Sequence, residues 1–271
     1  MRLTITIYFL LFLISCNNYD YGYYYNQGDR NFNNNNYKSA LDNYKKAIEL
    51  DSLSHEAYYS IGLCYSRLND FEQSFYYLNL AIRLYQKDFT YYVNRGFTRE
   101  KLNDLNGAII DYNCALKLNN SFAETYNNRG LAYFNLNIID SALNDYNKAI
   151  KLDSNFAMAY NNRGVLYESI DLYNYAIKDY SKAIENDPFT ALFYYNRSVS
   201  NFYLNNFDSY LEDINTAISL AEDNPLYYFE RGMFYYSQGE ILKACEDFTK
   251  SYDMGYNESK QYINEICGVK L

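Results

Sequence analysis

The stretch TYNNRGLAY occupies residues 125–133, and AYNNRGVLY occupies residues 159–167. Two near-identical nonapeptides 34 residues apart raise the question of whether the whole chain keeps that period. It does. At a shift of 34, Gly28, Gly62, Gly96, Gly130, Gly164, Ser198 and Gly232 fall in one column without insertion or deletion. Four places before each stands a tyrosine: Tyr24, Tyr58, Tyr92, Tyr126, Tyr160, Tyr194 and Tyr228. Twelve places after the glycine column come Ala40, Ser74, Ala108, Ala142, Ala176 and Ala244, with Tyr210 as the exception. Nineteen places after it come Ala47, Ala81, Ala115, Ala149, Ala183, Ala217 and Ser251.

These spacings are helical. The first tyrosine, the glycine and Tyr65, Tyr133, Tyr167 or Tyr235 three places on mark one face of a first helix. The small residue and the Ala seven places later mark one face of a second, and small residues let two helices approach closely. A hairpin of this kind cannot bury its apolar face alone, so successive hairpins must stack.

Period and columns together resemble the tetratricopeptide repeat from about Tyr21 to Asn257. The resemblance implies an all-α, right-handed superhelical solenoid of seven 34-residue helix hairpins over residues 21–257, with a capping helix and tail over 258–271. The chain departs from the family pattern in carrying Tyr for the usual Trp and in keeping only Pro188 of the prolines expected near repeat ends. Ser198 and Tyr210 make the sixth unit irregular.

Composition agrees with a packed helical protein. Of 271 residues, 36 are Tyr and 17 are Phe, while only two Pro and 11 Gly interrupt the chain. A net charge of −9 without a clustered basic face excludes nucleic acid as a partner. One histidine, His55, stands at the start of a first helix, where a solvated terminal residue is expected. With no recurring metal spacing, no nucleophile paired to a base and no phosphate loop, the sequence points to no enzyme, cofactor, metal or small-molecule substrate.

The amino terminus reads separately. Arg2, an apolar run from Leu3 to Ile14 and then Ser15-Cys16 follow the order of a secretory signal, and twelve apolar residues are too few to span a bilayer. Leu13-Ile14-Ser15-Cys16 resembles the lipobox of bacterial lipoproteins, which implies a signal peptide over 1–15, a lipidated Cys16 and a tether over 16–20. The other reading is an ordinary signal peptide. Asn17, rather than Asp, directs the expectation to the outer membrane of a bacterial envelope, facing periplasm or exterior.

Arg95, Arg129, Arg163, Arg197 and Arg231 precede the glycine column in units three to seven. Asp111, Asp145, Asp179, Asp213 and Asp247, sixteen residues later, occur in the same five units. Co-occurrence argues for an ion pair inside each repeat, since pairing with the preceding unit would leave Asp247 without its Arg; a direct ligand role is the alternative.

One place earlier, Asn94, Asn128, Asn162 and Asn196 form a second column. The family resemblance places first helices on the concave surface, so this column is similar to the asparagine ladder of some peptide-binding members, flanked here by Asn127 and Asn161. Amides that both donate and accept suit an extended peptide backbone, although they suit local backbone groups equally. The flanking Glu124, Glu168, Phe202 and Phe229 favour a partner of mixed apolar and basic character. Two functions follow: a membrane-anchored scaffold holding a peptide or partner in its groove, or a dedicated assembly lipoprotein working through its ends or convex face.

Cys64 and Cys114 fall on helices that do not touch in such a stack and are expected as small core residues. Cys245 and Cys267 flank a turn near Gly255 almost symmetrically. Antiparallel helices joined there would bring the two to one height, either as a disulfide or as two buried thiols.

Overall fold

The computed structural model describes residues 20–268. The chain divides into two units, Met1–Leu102 and Asn103–Leu271. In the first, α1 (Tyr21–Asn33), α2 (Tyr37–Leu50), α3 (His55–Arg67), α4 (Phe71–Leu84) and α5 (Phe89–Lys101) pack each on the next. In the second, α6 (Leu105–Leu118), α7 (Ala123–Asn135), α8 (Ile139–Leu152), α9 (Ala157–Ser169) and α10 (Tyr173–Asn186) are followed by α11 (Ala191–Tyr203), α12 (Phe207–Leu220), α13 (Pro225–Ser237), α14 (Ile241–Asp253) and α15 (Ser259–Ile266). Here too each helix packs on its successor. The described residues are all-α, in consecutive helix hairpins. None of these helices is long and apolar enough to cross a membrane.

Inside each unit a single backbone position reverses each hairpin. Asn35, Asn69, Asn137, Asp171 and Asn205 have φ between 59° and 61°, and Gly239 takes the same place at 77°; Asn103, the first residue of the second unit, has φ 63°. Asn and Asp tolerate this left-handed conformation better than other residues with a Cβ. That explains how so few glycines suffice. The starts are fixed by side-chain caps in six helices: Asp20, Ser54, Asp70, Asp88, Asp104 and Asn224 each accept from a first-turn N–H.

The alanine columns are the helix-crossing points. Ala40, Ala47, Ala81, Ala108, Ala115, Ala142, Ala149, Ala176, Ala183, Ala217 and Ala244 are fully buried. Opposite the glycine column lies a column of large side chains sixteen residues on. A Cβ on Gly28, Gly130 or Gly164 would come within 2.5–2.8 Å of the ring of Tyr44, Tyr146 or Tyr180, and one on Gly232 within 2.9 Å of Phe248. The glycine is therefore a socket for a ring. In the sixth unit Ser198 replaces it, and the residue sixteen places on is the smaller Ile214.

That unit departs further at Tyr210, whose ring fills the place of an alanine methyl. Tyr210 is buried, lies 4.6 Å from Phe234 between ring centres, and donates its hydroxyl to the Glu230 carbonyl at 2.9 Å. A ring where others have a methyl holds the next hairpin away, and α12 and α13 approach each other least of the adjacent helix pairs in this unit. At the carboxyl end α15 packs on α14, and Ile263 joins Ala244 and Phe248 in one core cluster. It thereby covers the last hairpin as a cap.

His55 departs from expectation. It stacks on Tyr85 at 4.5 Å, and its Nδ1 lies 2.8 Å from the Tyr91 hydroxyl, so it is a packed residue of the first unit. Cys64 is buried, Cys114 is partly so, and both are free thiols.

Candidate functional site

The arginine column supplies the rigid floor of the first-helix face. Arg129 donates Nε and Nη2 to the two carboxylate oxygens of Asp145, both at 2.7 Å, and Arg163 does the same to Asp179. Arg197 meets Asp213 at 2.9 and 2.7 Å, and Arg231 meets Asp247 at 2.8 and 2.7 Å. All four carboxylates are buried. Burial works against the charge of Arg129, but the bonds to Asp145 outweigh it and hold the guanidinium above its ordinary range. Arg95 and Asp111 belong to different units, and their pairing stays an expectation; within its own unit Arg95 donates to Asn79 at 2.6 Å.

Two partners of these arginines were not read from the sequence. The remaining Nη1 reaches back sixteen residues to the preceding repeat: to Asn113 from Arg129, Asn147 from Arg163, Ser181 from Arg197 and Asn215 from Arg231, at 2.5–3.0 Å. Each fork thus closes its own hairpin and ties it to the one before. A run of Asn79, Asn113, Asn147 and Asn215 at the same period was the available signal. The second partner is the invariant tyrosine, because Tyr126, Tyr160, Tyr194 and Tyr228 lie 5.6–5.9 Å from the guanidinium carbons, in cation–π range.

The asparagines form a connected chain of amides. Asn162 donates to Asn127 at 2.9 Å, and Asn196 donates to Asn161 at 2.8 Å, each from one first helix to the previous one. Asn127 and Asn161 in turn donate to Asn128 and Asn162 at 3.3 and 3.5 Å. Asn127 and Asn161, expected to flank the groove, are instead buried, only 5% and 3% exposed. They serve as the oriented backing of the ladder because the next first helix covers them. Asn128, Asn162 and Asn196 remain partly exposed. An amide has two N–H donors and two lone pairs, so each of the three keeps bonding capacity after its internal bonds are made. Asn94 donates to the Tyr59 hydroxyl and the Thr90 carbonyl, both at 2.9 Å, so tyrosine takes the backing role there.

Beside this chain, a cleft of about 550 Å³ opens at the starts of α7 and α9, lined by Phe122, Glu124, Asn127, Asn128, Phe156 and Met158. Two further carboxylates stand on first helices. Glu168 is raised above its ordinary value by burial, although Ser200 and Tyr180 donate to it at 2.7 and 3.2 Å. Glu230 is raised by burial and then by the neighbouring Glu258. It occupies the asparagine column one repeat beyond Asn196.

Cys16 and the segment before it lie outside the described residues. At the other end the Sγ atoms of Cys245 and Cys267 are bonded, with Cα atoms 5.6 Å apart, which ties α14 to the end of α15.

Profiles of the tetratricopeptide repeat match residues 123–156 and 157–189, and others of the same repeat match 28–69, 100–137 and 55–88. The chain belongs to the tetratricopeptide repeat family. It is similar in structure to a tetratricopeptide repeat protein from Parabacteroides merdae, with 22% identity, 92% of this chain and 97% of that one covered, and a TM-score of 0.70. MamA is 25% identical over 59% of this chain and 94% of its own, with a TM-score of 0.55. YrrB, described as a tetratricopeptide repeat protein with an unusual peptide-binding site, is 22% identical over 68% and 95%, with a TM-score of 0.52. No curated protein sequence matches the chain. The family and the fold make this a protein-interaction scaffold, whose partners are proteins or peptides.

Proposed function

We propose that the chain is a lipid-anchored scaffold of a bacterial envelope that holds an extended segment of a partner protein along the Asn128, Asn162 and Asn196 ladder. The observation that carries this is the direction of the amide bonds. Asn162 and Asn196 are aimed by Asn127 and Asn161, which fixes their side chains before any ligand arrives. Groups held in place lose little side-chain freedom on binding, and that preorganisation favours a backbone-reading groove. The apolar and acidic residues alongside, Phe122, Glu124, Phe156 and Met158, suit a partner of mixed apolar and basic character. Anchoring rests on the Ser15-Cys16 motif and places the first repeat close to an outer-membrane surface, since only residues 17–20 separate it from the lipid.

The test is selection of extended peptides from a random library by the full chain in detergent micelles. Replacing Asn128, Asn162 and Asn196 together by Ala should remove the enrichment. If the enriched set survives unchanged, the partner is held elsewhere, by the ends or the convex face. Fatty-acid labelling in cells reports the anchor, and labelling that persists in Cys16→Ser would remove that part of the proposal.

A further inference from the structure

The irregular sixth repeat opens a second cleft, of about 520 Å³, between α11 and α13 with the amino end of α15 at its rim. Tyr210 forms its base. The walls are aromatic: Phe202 and Tyr203 on one side, Phe229 and Phe234 on the other, and Tyr262 from the cap. Several of these rings contact one another, with Phe202 and Phe234 6.5 Å apart and Phe229 and Tyr262 5.6 Å apart between centres. Phe202 and Tyr203 nevertheless stay 39% and 57% exposed, so the cleft is lined but unfilled.

Its charge is one-sided. Among the described residues of the lining, Glu230 and Glu258 are the only carboxylates, and no Lys or Arg joins them. Glu258 is engaged by the Tyr256 hydroxyl at 2.8 Å. Among the described residues no donor reaches the Glu230 carboxylate, and burial together with Glu258 disfavours its charge in the free protein. A cation placed there would gain the carboxylates and the faces of the rings at once. A neutral apolar group would fill the space and leave Glu230 desolvated and unpaired.

We propose that this cleft is a specificity pocket for one basic side chain of the bound segment, an arginine or lysine, with its stem on Phe202, Phe229 and Phe234 and its cation at Glu230 and Glu258. Continuity with the ladder argues for a peptide side chain as the occupant. Glu230 is the next position in the column after Asn196, so a segment running along the ladder towards the carboxyl end delivers a side chain to the cleft. The pocket therefore rests on the ladder reading for its delivery, while its selectivity rests on its own residues.

The probes are acetyl-Ala-Phe-Ala-Arg-Ala-Phe-amide and the same peptide with citrulline for arginine, an uncharged side chain of the same shape. Their affinities for the full chain in detergent micelles are compared. The arginine peptide should bind roughly tenfold tighter, the scale of one charge-assisted hydrogen bond with a cation–π contact. Glu230→Gln should bring the two peptides together, whereas Asn162→Ala should weaken both by the same factor. Equal binding of the two peptides, binding of neither, or a preference that survives the Glu230→Gln/Glu258→Gln double change would overturn the pocket. A preference that depends on Glu230 while Asn162→Ala has no effect would leave the pocket standing and remove the ladder.

Discussion

Arg129 and Asp145 are unequally placed, and that inequality sets the size of a double-mutant cycle. The Asp145 side chain is 2% exposed and the Arg129 side chain 17%. Arg129→Leu strands a carboxylate that water barely reaches, and it also removes the donor to Asn113. Breaking a buried pair from one side costs about 3–5 kcal/mol. Asp145→Leu leaves a guanidinium that still bonds Asn113 and lies over Tyr126 and Tyr133, so its loss should be smaller, about 2 kcal/mol. The double change removes both charges. Apolar replacement of a whole buried pair is often neutral, so it should cost less than Arg129→Leu alone. Urea unfolding followed by circular dichroism gives the cycle. Because stacked repeats unfold in part, hydrogen exchange in α7 and α8 should be read alongside it. Additivity within about 0.5 kcal/mol, or a larger loss from Asp145→Leu than from Arg129→Leu, would refute the reasoning.

Three further outcomes follow from the same structure. Gly164→Ala places a methyl 2.6 Å from the Tyr180 ring and should destabilise by about 1 kcal/mol net of its helix-propensity gain; Gly22→Ala, with 3.5 Å to its nearest atom, should not, and thermal melts compare them. Cys245→Ser opens a link spanning 22 residues and should cost about 3 kcal/mol, seen as faster amide exchange in α15 with α9 and α10 unchanged. Glu230 has a folded pKa above its ordinary 4.5, so the folded state holds the proton more tightly and wild-type stability falls as pH rises through that window. Glu230→Gln should therefore melt higher than wild type at pH 7 and lose that advantage below about pH 4.5, whereas a constant difference across pH would contradict the burial of this carboxylate.

The hairpins were legible in the sequence because a 34-residue period leaves each contact repeated, and a fully buried alanine column has to be small at every turn. The Arg–Asp assignment was legible for a different reason: both columns begin together at the third repeat. Contacts between repeats were harder. Reading columns as faces shows which residues point inward but does not show the register between successive first helices. The structure sets that register at 35 residues, one more than the period, which is why Asn162 meets Asn127 and why Asn127 is covered. The left-handed asparagines at the hairpin turns were visible as a column at Asn35, Asn69, Asn103 and Asn137, yet their role is a backbone angle that no hydrophobic pattern reports. Tyr210 was visible as an exception. Its consequence, a cleft between hairpins, depends on how far one ring separates α12 from α13, which the sequence does not state.

The central claim is that the partner lies along the ladder. Site-specific photo-crosslinking in cells tests it most directly, with a benzophenone amino acid placed once at Met158, 40% exposed in the cleft beside the amide chain, and once at Tyr175, 55% exposed on α10. The account predicts a partner adduct from position 158 that disappears when Asn128, Asn162 and Asn196 are all changed to Ala, and none from position 175. An adduct from position 175 alone, or one from position 158 that persists without the three asparagines, would contradict it.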